Sequence, residues 1–163
     1  MKIVYRQLTF ADAEQYLNLV NEVKDEGKHL FFSSRFDLET TKKRIEQQTQ
    51  KLTFFYGAFK NDKLIGWIDY SKGAFSEIEH TAYVGMGVQK EKRGLGIGKI
   101  LMDKCIEKAK ENQIEKIELE VFSSNENAVR LYKNKGFKEQ GRFIKKRKYK
   151  NKYDDIICMY KFI

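Results

Sequence analysis

The stretch Val88-Gln89-Lys90-Glu91-Lys92-Arg93-Gly94-Leu95-Gly96-Ile97-Gly98-Lys99 decides how this chain is read. The run before it, Thr81–Val88, reads as a strand that carries Gly85 and Gly87. Glycines inside a strand mark a bulge, or a place where another backbone or a ligand comes close. After the stretch, Ile97, Ile100, Leu101, Cys105 and Ala109 recur at helical spacing as far as about Asn112, while Lys99, Lys104, Glu107 and Lys108 face out. A strand therefore ends, a glycine-rich turn follows, and an amphipathic helix begins within it. Unpaired amides at a helix start, aided by the helix dipole, bind phosphate. Glycines let those amides reach a diphosphate without intervening side chains.

Several phosphate-binding patterns share this physics. The P-loop needs Ser or Thr after its lysine and glycine at its first position, but Ile100 follows Lys99 and position 93 is Arg93. The dinucleotide fingerprint fails because the third glycine, Gly98, comes one residue early. What remains is Arg93-x-x-Gly96-x-Gly98, with Gly94 and Lys99 in the same turn.

Further along lies Asn125-Glu126-Asn127-Ala128-Val129-Arg130-Leu131-Tyr132-Lys133-Asn134-Lys135-Gly136-Phe137. Residues 125–135 predict a short helix with Ala128, Leu131 and Tyr132 inward, and Gly136 stands where a left-handed C-terminal cap belongs. The two segments resemble, in order, the hallmarks of GNAT N-acetyltransferases: Q/R-x-x-G-x-G/A, then N-x-x-A-x-x-L-Y-x-x-x-G-F. The match is firm over residues 80–140 and loose elsewhere.

The resemblance implies a mixed α/β GNAT fold, with a mostly antiparallel sheet of about seven strands flanked by about four helices, as one domain over residues 1–163. It also implies transfer of an acetyl group from acetyl-CoA to a primary amine of a small molecule or peptide. The closing segment, Tyr149 to Met159, resembles the last hairpin of family members that act on small amines such as amino acids or polyamines. In that reading Arg93, Gly94, Gly96, Gly98 and Lys99 hold the cofactor diphosphate, and Asn125 bonds the pantetheine arm. The hydroxyl of Tyr132 sits beside the sulfur. A phenol with a pKa near ~10 is suited to protonate a departing thiolate. The main chain of Met86 and Val88, at a bulged strand end, would stabilise the intermediate's oxygen. The base that frees the amine falls to Glu79, with Glu77, His80 or water as alternatives.

The rest of the chain yields an expected order of elements. Lys2–Leu8 is a strand, and Phe10–Val23 a helix with Thr9 as cap and Tyr16, Leu17 and Val20 inward. Residues 27–36 form a loop with Phe31, Phe32 and Phe36, and Asp37 caps a polar helix to about Gln50. Leu52–Lys60 and Lys63–Ser71 form a hairpin about Asn61-Asp62, and Lys116–Phe122 alternates as a strand. Residues 137–143 and 153–162 close the sheet as an antiparallel pair.

Composition bounds the alternatives. No apolar run approaches the roughly 20 residues that span a bilayer, the N-terminus lacks a signal-peptide core, and a cytoplasmic protein is the expectation. Cys105 and Cys158 suggest core residues, and His29 and His80 lack ligand spacing, so no metal is expected. The formal charge of +9 favours anionic partners and suits coenzyme A. It also raises two other readings: a nucleic-acid binder using the basic 142–152 stretch, held to be a hairpin loop, and a catalytically silent CoA sensor. Neither nucleic acid nor membrane is the expected partner. Homodimers are common in the family, but no residue points to one.

Overall fold

The computed structural model describes residues 2–30 and 37–163, and the aromatic residues Phe31, Phe32 and Phe36 lie outside them. The elements run β1 (Val4–Gln7), α1 (Ala13–Asp25), α2 (Leu38–Glu46), β2 (Thr53–Lys60), β3 (Lys63–Lys72), β4 (Thr81–Val88), α3 (Ile97–Glu111), β5 (Lys116–Phe122), α4 (Glu126–Asn134), β6 (Lys138–Tyr149) and β7 (Lys152–Phe162). The seven strands form one sheet in the order β1-β2-β3-β4-β5-β7-β6. Every neighbouring pair is antiparallel except β4–β5. This is the mixed, mostly antiparallel α/β sheet expected from the sequence.

Helices cover both faces, because the central strands bury residues of both phases. One face packs Ile68, Tyr70, Ile117 and Leu119 against Leu101, Met102 and Cys105 of α3. The other packs Phe55, Phe59 and Trp67 against Tyr16, Leu19 and Val23 of α1 and Ile45 of α2. At about 100° per residue, the buried stripe of α1 is centred near Tyr16 and Val23, so Leu19 falls inside it and Leu17 is only half-buried. By the same geometry Ile100 lies opposite the stripe of α3 and is exposed, while Met102 is fully buried.

Local chemistry fixes the ends. Residues 10–12 form a short 3-10 turn ahead of α1 rather than its first turn. The Asp37 side chain accepts from Thr40 N–H and caps α2. Asn61 and Asp62 both take positive φ, the conformation of a two-residue hairpin turn. Gly136 has φ +83°, with Gly136 N–H donating to Lys133 O and Phe137 N–H to Tyr132 O, the double bond of a left-handed helix cap.

The basic stretch is not a loop. Residues 142–149 belong to β6, the sheet's edge strand, and the turn is confined to Lys150-Asn151 at φ 47° and 61°. Nearly every β6 side chain is exposed, so the strand carries no apolar alternation.

Candidate active site

β4 and β5 pair only from Thr81↔Lys116 to Tyr83↔Glu118, and beyond that they diverge. The opening is a cleft of about 710 Å³, lined by the upper half of β4, the turn before α3, β5, and the start and inner face of α4.

The phase of the β3–β4 ladder determines which amides face the cleft. Gly73 N–H bonds Thr81 O at 3.0 Å, and Gln89 N–H bonds Ile65 O at 2.9 Å. Bonded pairs recur at every second residue of an antiparallel ladder. The odd-numbered residues of β4 therefore turn their main chain to β3, while Met86 and Val88, beyond the last rung with β5, turn theirs into the gap. Consistent with this, Val88 O accepts from Arg93 Nε at 2.9 Å. The expected bulge is absent, since the register runs unbroken from Gly66↔Val88 to Lys72↔Ala82. Divergence from β5, not irregularity against β3, frees these amides. The glycines have another cause. A Cβ on Gly87 would meet the Trp67 indole, and one on Gly85 would lie 3.3 Å from Asp69 Oδ1. Asp69 is buried and accepts from Tyr16 Oη at 3.0 Å, Trp67 Nε1 at 3.1 Å and Arg44 Nη2 at 3.2 Å. Burial pushes its carboxyl up, with Arg44 opposing.

In the turn before α3, Gly94 and Gly96 have φ +79° and +77°, a conformation that strains other residues. Gly96 is the N-cap of α3. Among the described residues, the amides of Gly94, Leu95, Gly96, Ile97 and Gly98 have no acceptor. Gly98 lets the helix close on its neighbours, its Cβ position lying 3.3 Å from Leu131 Cδ2 and 3.6 Å from Met86 Cε. The side chain of Lys99 is exposed at the rim. Arg93 differs from its companions, because its guanidinium is turned away from the turn's amides to Glu26, with Nη1–Oε2 at 2.8 Å and Nη2–Oε1 at 2.5 Å.

Asn125 caps α4, its Oδ1 accepting from Ala128 N–H at 3.4 Å, and it also lines the cleft. Tyr132 is 7% exposed and packs on Phe137 with ring centroids 5.8 Å apart. Its hydroxyl has no partner among the described residues and is not sealed from solvent, so it opens onto the cleft. Burial pushes its pKa up to about 12.

The cleft thus gathers Met86, Val88, Arg93, Gly94, Gly96, Gly98, Lys99, Asn125 and Tyr132. It does not include Glu79. That residue precedes β4 at the end remote from the divergence, is exposed, and lies 3.6 Å from Lys72 Nζ. Glu77 and His80 are exposed at the same end. The carboxylate that does line the cleft is Glu120 of β5. The other half-buried or buried acids pair with cations: Asp12 with Arg6, Glu26 with Arg93, Asp69 with Arg44, Glu118 with Lys116, Asp154 with Arg147 and Asp155 with Arg142. Glu120 has no cationic partner among the described residues. It accepts from Cys158 Sγ at 3.9 Å, and it stands near Tyr83, whose hydroxyl is pushed up by burial and then by Glu120. Cys105 is a core residue as expected, but Cys158 is only half-buried. In the sequence, Glu120 was hidden by the alternation of Lys116–Phe122, where every second residue reads as solvated.

A parallel pair that opens midway, facing a helix whose first amides are free, defines an α/β domain built to take a phosphate-bearing ligand between its strands. The chain belongs to the acetyltransferase (GNAT) family, whose model matches residues 18–137. Membership implies acyltransferase activity. The fold is shared with a GNAT acetyltransferase of Streptococcus pneumoniae, 23% identical over 99% of this chain and 100% of that one, with a TM-score of 0.89. It is also shared with a ribosomal-protein-alanine N-acetyltransferase of Brucella melitensis, 22% identical over 98% and 99%, with a TM-score of 0.87. A phosphinothricin acetyltransferase of Sinorhizobium meliloti, solved with AcCoA, is 16% identical over 100% and 89%, with a TM-score of 0.89. No helix among the described residues is long and apolar enough to cross a membrane.

Proposed function

We propose that the protein is an acetyl-CoA-dependent N-acetyltransferase that acts on a primary amine of a small molecule or peptide. The observation that carries this reading is the convergence, in one cleft, of free helix-start amides, unpaired β4 amides and the Tyr132 hydroxyl. The diphosphate of acetyl-CoA sits on the amides of Gly94 to Gly98, with Lys99 adding charge, and Asn125 bonds the pantetheine arm. The amine attacks the thioester carbonyl while Met86 N–H, with Val88 N–H, donates to the developing oxyanion.

Glu120 replaces Glu79 as the group that takes the ammonium proton. A half-buried carboxylate without a cation is costly, and an incoming ammonium compensates it. Tyr132 donates to the sulfur as the thiolate departs. Its raised pKa keeps the proton in place through the neutral range. Because it lies above that of an ordinary thiol, the phenol acts first as a hydrogen-bond donor to the sulfur and gives up its proton as the thiolate departs. Glu120, which has no cation, and the unpartnered Tyr132 hydroxyl favour catalysis over a silent sensor.

The test is thiol release from acetyl-CoA against amino acids, polyamines, aminoglycosides and short peptides. Amine-dependent release supports the reading. Acetyl-CoA binding without release against any acceptor would favour the sensor.

A further inference from the structure

At the open end of the cleft, the turn that follows α1 is gripped from both sides. On the β4 side, Arg93 donates through Nε to Val88 O at 2.9 Å and holds Glu26 with both terminal nitrogens, while Nη1 lies 3.1 Å from His29 Nε2. Burial and then Arg93 push His29 down, which suits a neutral ring accepting from the guanidinium. On the β5 side, Arg147 of β6 donates to Gly27 O and to Asp154 Oδ2, the latter at 2.9 Å. Its guanidinium carbon stands 4.0 Å above the ring of Phe122, the last residue of β5. Gly27 has φ +64°, and a Cβ there would come within 2.6 Å of Tyr149 Oη. Residues 26–29 therefore bridge the ends of the two strands whose divergence makes the cleft.

We propose that this turn, whose His29 lines the cleft, is a strap across the cleft's open end, and that Arg93 is a positioning residue for the strap rather than a phosphate ligand. Three observations carry this. The polar atoms of the Arg93 guanidinium are committed to Val88, Glu26 and His29, leaving the diphosphate to main-chain amides. The ion pair is bidentate and only partly exposed, at 32% for the Arg93 side chain and 19% for Glu26, so it is less screened than a surface pair. The second arginine reaches the same turn from the opposite wall. Closure keeps water from the thioester, where attack would yield acetate and free CoA thiol and waste the donor. This role rests on the acetyl-transfer reading; the bridging of the walls does not.

Two variants test it: Glu26→Gln, and the double variant Arg93→Met with Glu26→Gln, which leaves no orphaned carboxylate. Backbone amide exchange over residues 24–30 should quicken about tenfold or more in both. The acetyl-CoA Kd, by calorimetry, should stay within about threefold of wild type. Thiol release without amine should rise severalfold. Unchanged exchange in both variants overturns the strap, and faster exchange without added thiol release overturns its closing role. A Kd weakened about tenfold in the double variant, with Glu26→Gln silent, returns Arg93 to the phosphates. If wild-type protein gives no heat with acetyl-CoA, the acetyl-transfer reading fails, and the exchange measurement still judges the bridge.

Discussion

Trp67 and Gly87 face each other across β3 and β4, with the indole occupying the volume a side chain on residue 87 would need. The indole is almost fully buried and donates to Asp69, so it has little freedom to withdraw. Gly87→Ala should destabilise the fold by about 2 kcal/mol through overpacking. Urea unfolding measures this, and a loss below about 0.5 kcal/mol would mean that the ring yields.

Gly96 has a different reason to be glycine. A Cβ there meets nothing, so only its left-handed backbone is at stake. Gly96→Val should leave the core intact yet turn the first amides of α3 away. The expected result is loss of acetyl-CoA binding by calorimetry, with stability lowered by no more than the roughly 1–2 kcal/mol that a left-handed backbone costs a residue other than glycine. Unaltered affinity would contradict the phosphate cradle.

Tyr132→Phe keeps the ring that packs on Phe137 and removes only the hydroxyl. Acetyl-CoA should still bind, while transfer slows by roughly 10- to 1,000-fold. With a pKa of about 12, the wild-type phenol stays protonated, so activity should not decline between pH 7 and 10 on its account. Full activity in the variant would refute the assignment.

Glu120→Gln is nearly isosteric and removes the uncompensated carboxylate of the cleft. Amine-dependent turnover should fall by about 100-fold or more, with the acetyl-CoA Kd unchanged. Glu79→Gln, at the remote end of β4, should be silent in both measurements.

The N-terminal strand offers a test by pH. Arg6 donates to both oxygens of Asp12 at 2.7 Å, and Thr9 adds further bonds. The Arg6 hydrogen bond is the main cause holding the Asp12 carboxyl at about 2, against desolvation. A depressed acid stabilises the fold above its unfolded pKa, near ~3.9, and loses that contribution as pH falls through the folded value. The stability difference between wild type and Asp12→Asn should therefore be constant from pH 7 to about 5 and shrink between about pH 4 and 2. A difference that does not vary with pH would remove the charged pair from the account.

The sequence was most legible where a residue's backbone role excludes most alternatives. Gly94, Gly96 and Gly136 take the positive φ that their positions imply, and β4 runs over Thr81–Val88 as read. Legibility failed where a pattern looks the same for two environments. Glu120 alternates like any solvated strand residue, yet its neighbour β4 has moved away and left it facing a cavity. Arg93 lies inside the phosphate motif but is claimed by Glu26, a partner 67 positions away that no local reading could supply. Lysines conceal β6, because an edge strand with nothing to bury has no periodicity to display.

The parting of β4 and β5 has one more consequence. The donors it releases belong to the polypeptide itself, which every residue type except proline possesses. Most side chains around such a gap can therefore change without removing those donors, provided the strands still separate at the same rung.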